Sequence, residues 1–372
     1  MEKLAGIQVP SKTVRRITSQ IGADRCAERS SQVEAFREMP LMGRSRPNAT
    51  ATVPELGVVM MDGGRHQRRD HFGQPAADRQ THWKENKVGL VLSMESETFD
   101  SDPCPELPEW LVGAAAISEL AKLAEPESVG GASKGEANEN DAEDQAENPW
   151  PDAPQLVARE MIASLAACEP FGWHLESEAW RHGIPAAKRK AFVADGAAVN
   201  WTIHRKHFSE MTPVLDLMHA LSYAHQAAVA IADPTAYRRY AEWIWKGKVE
   251  RVIVELQGHQ LRLGMPPPDA PDTDPRKRIE RTLTYYRNQQ ERMNYPEYRR
   301  NGLPLTSSHI ESAVKQINFR IKGTEKFWAQ ENAESILQLR ADELSDSQPL
   351  QSFWFRWRAN ITGANRYRNI AA

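Results

Sequence analysis

The sequence has no apolar run approaching the roughly 18 residues a membrane helix needs, and its mean hydropathy is −0.62. Met1 to Ser11 lacks an apolar core followed by a cleavage site, so no signal peptide is expected. Both absences point to a soluble, cytoplasmic protein with no membrane partner. Cysteine is scarce: Cys26, Cys104 and Cys168 stand far apart and form no C-x-x-C pair. This argues against a disulfide framework and a thiolate zinc site. No fixed-period repeat occurs, and there is no excess of positive charge. Forty-seven Lys and Arg oppose 50 Asp and Glu, for a net charge of −3 in 372 residues.

That total averages unlike regions. Glu95 to Asp152 is densely acidic, opposed only by Lys122 and Lys134, whereas Lys188-Arg189-Lys190, Arg276-Lys277-Arg278 and Arg356 to Arg368 are basic. The acidic stretch becomes almost free of apolar residues from Gly130 to Asn148, which predicts a disordered loop. A short amphipathic helix is expected before it, around Gly113 to Ala124.

Apolar patterning predicts the elements. Ser11 to Gly22 reads as a short helix, capped by Ser11 and ended by Gly22, with Val14, Ile17 and Ile21 on one face. It is either a remnant of a helix-turn-helix DNA reader, offering Arg15 and Arg16, or a surface helix leading into the core. Leu56 to Met61 reads as a buried strand ending in a tight turn at Asp62-Gly63-Gly64. Lys87 to Leu92 reads as a second strand. Gln155 to Leu165 suits a strand or a helix, and Phe171 to His182 a helix. Ala191 to Ala194 is a compact strand ending on Asp195-Gly196, and Pro213 to Leu217 is an apolar stretch carrying Asp216. Strands alternating with helices indicate an α/β sheet with helices on its faces. From Ala220 to Arg300 the pattern is helical: Leu221 to Ile231, Pro234 to Lys246, Val249 to Leu256 and Arg278 to Asn294, divided by Gly264-Met265-Pro266-Pro267-Pro268. A last long helix starts near Ser308.

Three acids stand where a metal site would need them. Asp62 and Asp195 each follow a buried strand, and Glu311 opens a helix. Strand ends hold carboxylates rigidly, and oxygen-only ligands suit hard cations such as Mg²⁺. Each acid also has an ordinary role: Asp-Gly pairs are common in turns, and Ser308-His309-Ile310-Glu311 fits a helix capping box. Asp216 and His219, three residues apart, either bind a ligand or pair with each other as a helix begins. His225 is not placed to complete a compact ligand set with them.

Five blocks carry a resemblance: MMDGGRHQRR (Met60 to Arg69), HWKENKVGLVL (His82 to Leu92), FVADGAAVNWTI (Phe192 to Ile203), HFSEMTPVLDLMHALSYAH (His207 to His225) and MNYPEYRRNGLPLTSSHIESAVKQINFRIKGTEKFW (Met293 to Trp328). Together the chain resembles the Mutator-like DDE transposases of bacterial insertion sequences, of the ISKra type. The resemblance implies an RNase H-like mixed sheet flanked by helices, with an all-helical insertion before the final acid. It implies Asp62, Asp195 and Glu311 as catalytic, metal-binding residues, and it matches Asp216 and His219 to the C/D-x-x-H signature of the wider group.

Two Mg²⁺ ions, with Mn²⁺ as an alternative, would serve cleavage at transposon ends and strand transfer into target DNA. A homodimer or higher synaptic oligomer is expected because two ends must be joined. The expected divisions are a lead-in or helical remnant (1–50), a split catalytic domain (51–94 and 154–225) around an acidic insertion (95–153), a helical insertion (226–305), the final catalytic helix (306–345) and a basic aromatic tail (346–372). Lys315, Arg320, Lys322 and Lys326 are candidate phosphate contacts, Lys315 having an ion pair with Glu311 as its alternative. Trp201, Trp243, Trp245 and Trp328 either pack in the core or stack on unpaired bases. The family's N-terminal end-binding region is usually longer than the stretch before Asp62. The alternatives are therefore a truncated copy that only binds DNA or a partner, and an RNase H-like nuclease.

Overall fold

The computed structural model describes residues 9–68, 83–124, 152–323 and 326–361. At its centre lies a mixed six-stranded sheet. β1 (Leu56–Arg68), β2 (Trp83–Glu95) and β3 (Gln155–Ser164) are antiparallel neighbours, and β4 (Arg189–Ala194) and β5 (Thr212–Leu215) continue the sheet parallel to β1. The spatial order is β3-β2-β1-β4-β5, with the two-residue β6 (Phe327–Trp328) parallel to the far end of β1. The helices are α1 (Ser11–Glu38), α2 (Leu41–Arg44), α3 (Ala114–Ala124), α4 (Cys168–Arg181), α5 (Ala198–His207), α6 (Leu217–Ala230), α7 (Ala236–Trp245), α8 (Val249–Leu263), α9 (Pro275–Gln289), α10 (Tyr295–Arg300), α11 (Ser308–Ile321), α12 (Gln330–Leu344) and α13 (Pro349–Ile361). This α/β architecture is compatible with an RNase H-like sheet. Among the described residues, no helix is long and apolar enough to cross a membrane.

Leu56 to Met61 is continuously buried rather than alternating, because both faces of the sheet are covered. On one face Leu175 of α4 lies so close over Gly89 that a methyl group there would come within 2.4 Å of its Cδ2. On the other, α11 crosses β1 and β2 while α12 covers β3.

Several sequence expectations change. The strand at Leu56 does not end at Met61. β1 runs on through Asp62 to Arg68, so Asp62-Gly63-Gly64 is strand and not turn. Pairing explains this: β4 leaves β1 after Met60, whereas β2 stays hydrogen-bonded through Gln67. Gln155 to Ser164 is a strand. Gly22 does not end α1, which continues to Glu38. A Cβ at Gly22 would lie 2.5 Å from the Ser335 Cβ, so this glycine permits close approach of α1 to α12. Buried Arg25 fastens the same interface, donating to both Asp342 oxygens at 2.8 and 3.2 Å. The segment is thus part of the packed body.

The start of the acidic region is also ordered. Leu111 and Leu120 enter the core, and Arg299 donates to Asp102 at 2.8 Å. Gly130 to Asn148 lies outside the described residues. Members of the basic clusters bond within the chain: Arg189 donates to the Ser96 and Asn301 carbonyls at 2.6 and 2.9 Å. Arg276 pairs with Asp274 at 2.8 Å, and Lys277 with Asp272 at 2.9 Å. Asp274 and Pro275 start α9 in the usual way, with the Asp274 carboxylate accepting from the Arg276 N–H. The described part of the tail is helical, with Phe353 packed inward and Arg356 paired with Glu28.

Candidate active site

The parallel strands align three acids. Met60 pairs with Val193 and Val193 with Val214. The β1–β4 pairing ends two residues before Asp62 and Asp195, and the β4–β5 pairing one residue before Asp195 and Asp216, so the three acids follow the paired ends of adjacent strands. The alignment is supported by the Asp216 N–H donating to the Ala194 carbonyl at 2.9 Å. Residues at one register level point to the same face, here the face crossed by α11. Glu311 projects from the first turn of that helix.

Local bonds fix each acid. Asp195 Oδ1 accepts from the Ala197 N–H at 2.9 Å and from Asn200 Nδ2 at 2.8 Å. Gly196 follows with φ of 101°, a conformation that favours glycine. Asp62 Oδ1 accepts from the Gly63 N–H at 2.6 Å. Asp216 is fully buried and caps α6. Its Oδ1 accepts from the His219 N–H at 2.9 Å, and its Oδ2 from the Ser307 N–H at 2.5 Å and from the Ser307 hydroxyl.

These bonds settle the start of α11. The helix cap is Ser307, whose hydroxyl is directed to Asp216, so no capping box forms around Ser308 and Glu311. Asp216 therefore ties the end of β5 to the start of α11. In doing so it sets the position of Glu311, one turn into that helix.

The electrostatics follow from crowding. Burial, with Asp216 and Asp62 nearby, pushes the Glu311 carboxyl up to about 7 against the opposing charges of His219 and Lys315. Burial works against a charged His219. Hydrogen bonding and charge from Asp216, then Asp195 and Glu311, outweigh it and raise the imidazole to about 9. It is therefore a cation near neutrality. Asp216, His219 and Glu311 each bring a potential ligand atom within 4.8 Å of the others. A protonated imidazole has no lone pair to give, so His219 would have to lose its proton to join a ligand set. Asp62 and Asp195 lie outside that group: among the described residues, Asp62, Asp195 and Glu311 do not bring ligand atoms within 4.8 Å of one another.

Sequence reasoning missed the residues that hold this edge. Tyr285 donates to the Asp195 carbonyl at 2.9 Å, Gln289 to Gly196 at 3.0 Å, Tyr295 to Leu215 at 3.1 Å and Tyr298 to Pro213 at 3.0 Å. The region from α9 to α10 thus fastens the backbone at Asp195 and Gly196 and just before Asp216. Tyr295 and Tyr298, like Asn200, stand inside quoted blocks, whereas Tyr285 and Gln289 lie outside them, and no spacing motif marks any of these bonds. Removing the Tyr285 hydroxyl in Tyr285→Phe keeps the ring and frees one carbonyl. We expect the loss of that bond to lower stability by about 1 kcal/mol. A melting curve checks this.

The other predicted contacts divide. Lys315, Arg320 and Lys326 are exposed and Lys322 is half-buried. Lys326 Nζ already donates to the Phe319 carbonyl at 2.8 Å, and Lys322 lies 5.9 Å from the Trp83 ring centre. Trp201 is 4% exposed and Trp245 0%. Trp243 and Trp328 are partly buried against the core. Core packing accounts for all four tryptophans. His225 packs edge-on against Tyr237. No protein-family model matches the chain, and no curated protein matches it.

Proposed function

We propose that the chain is a DDE-type DNA transposase, cutting at transposon ends and joining them to target DNA. One observation carries the reading: Asn200 Nδ2 donates to Asp195 Oδ1 at 2.8 Å and reaches the Met61 carbonyl at 3.5 Å, and the Glu311 carboxyl at the start of α11 feels the charges of Asp216 and Asp62. We read the sheet as RNase H-like and the helices between β5 and α11 as the family's insertion. The donor chemistry fits Mg²⁺ or Mn²⁺: rigid carboxylates, no cysteine, and a carboxyl at Glu311 whose proton a cation would displace.

Divalent ions bound there supply activation of the attacking oxygen and stabilisation of the leaving one. The residues do the rest. Asn200 and the Ala197 N–H aim Asp195, Asp216 fixes the start of α11, and the His219 cation stands where it can neutralise a phosphate oxygen. In the first step a water oxygen bonds to phosphorus and the 3′-oxygen of the transposon end leaves, taking a proton. In the second, that 3′-hydroxyl attacks a target phosphodiester and the target strand's own 3′-oxygen departs. Two ends require at least two active sites, so a dimer or larger assembly on DNA is part of the proposal.

The test uses pre-cut transposon ends, a supercoiled plasmid and Mg²⁺. Joined products support the reading. Cleavage without joining would favour a nuclease, and DNA binding without either would favour a binding protein. Metal affinity should depend on pH. Below about 7 the cation must displace the Glu311 proton, so Mg²⁺ affinity should rise with pH and level off above that value. Calorimetric Mg²⁺ titrations at several pH values check this; an affinity flat between pH 6 and 8 would remove Glu311 from the ligand set.

A further inference from the structure

The face of α6 that carries His219 also carries Tyr223. It lies four residues on, about 6 Å along the helix axis. Tyr223 and Tyr285 lie flat against each other, with centroids 3.8 Å apart and planes 11° from parallel. Two aromatic rings left to themselves prefer offset or edge-on arrangements. Here the pair is held in place, since the Tyr285 hydroxyl donates to the Asp195 carbonyl at 2.9 Å and its ring meets Tyr286 edge-on. Both rings remain partly exposed. A pre-stacked, partly exposed aromatic pair therefore stands beside Asp195, one helical turn from His219.

We propose that the Tyr223–Tyr285 stack is a nucleobase shelf. It takes an unpaired base from the nucleotide adjoining the scissile phosphate, continuing the stack by one ring. This rests on the reading of the site as a DNA phosphoryl-transfer centre and adds a substrate subsite to it. The separation from His219 suits a phosphate held at one turn of the helix and its base at the next. A neutral ring is also the contact that works beside carboxylates, where a second anion-seeking group would compete for them. Because every base has a flat face, the shelf tolerates any sequence.

The experiment uses the full chain and a nicked DNA duplex with a short single-stranded flap carrying 2-aminopurine, whose fluorescence is quenched on stacking. Ca²⁺ replaces Mg²⁺ to keep the DNA uncut. The wild-type protein should quench the flap base, Tyr223→Phe should retain the quench, and Tyr223→Leu should lose it and bind the flap roughly ten-fold more weakly. In the wild-type protein an abasic flap nucleotide should weaken binding by a similar factor. In Tyr223→Leu it should add little. The abasic comparison in the wild type needs no variant and stands even where Tyr223→Leu folds poorly. Equal wild-type affinity for base and abasic flaps, or a wild-type quench in Tyr223→Leu, overturns the shelf. Absence of Mg²⁺-dependent cleavage by the wild-type protein overturns the parent reading instead, a separate result from the same preparations.

Discussion

Glu311→Gln should lose strand transfer by a thousand-fold or more while DNA binding holds and the metal-free protein becomes more stable. The activity loss follows from removing one of three anionic ligands. About 4 kcal/mol of lost transition-state stabilisation is a thousand-fold in rate. The stability gain follows from protonation. The folded carboxyl keeps its proton up to about pH 7, whereas an ordinary Glu releases it near 4.5. Between these values the folded state binds more protons than the unfolded state, so stability falls as pH rises and is flat above about 7. At pH 8 the ionised side chain costs about 2 kcal/mol after discounting for its partial exposure, and glutamine carries no such cost. Melting curves at pH 8 without divalent ions, set beside a strand-transfer assay, test both halves. A variant that is both inactive and less stable would mean that Glu311 holds the fold rather than a cation.

Asp216→Ala should do the reverse on the stability side. Asp216 is wholly buried, and its loss orphans the Ser307 N–H and hydroxyl, the His219 N–H and the charge on His219. Removing one member of such a buried set costs about 3–5 kcal/mol. The start of α11 loses its tie to β5, so Glu311 drifts and activity falls with stability. Asp216→Asn keeps the shape but presents an amide donor to one of the donors it should accept from, so an intermediate loss of both is expected. Thermal denaturation and Mg²⁺-dependent strand transfer check this pair. Full stability with lost activity in Asp216→Ala would instead make Asp216 a ligand.

The elements that carry the candidate site are legible in the sequence, for reasons that differ by residue. Asp195 stands out because Phe192 to Ala194 is short and apolar, and such a strand must end at the sheet edge. Asp62 stands out for a partly mistaken reason. It is not at a strand end but at the level where a neighbouring strand leaves, a fact of pairing that one strand's pattern does not contain. Glu311 could be told from a capping residue only through Asp216, which draws the Ser307 hydroxyl away from the helix start. That contact spans the whole helical region from α6 to α10. The Tyr285, Gln289, Tyr295 and Tyr298 bonds were illegible for the same reason, since each joins a helix face to a backbone carbonyl distant in sequence. Gly22 was misread because a glycine that ends a helix and one that lets two helices touch look alike until the partner, Ser335, is known.

The central claim is that Asp62, Asp195 and Glu311 bind divalent cations together. Mn²⁺ binding followed by electron paramagnetic resonance, on the wild-type chain with DNA and on Asp62→Asn, Asp195→Asn and Glu311→Gln, tests it most directly. About two bound ions per chain are expected for the wild type, with tight binding lost in each variant. Undiminished Mn²⁺ binding in all three variants would contradict the account.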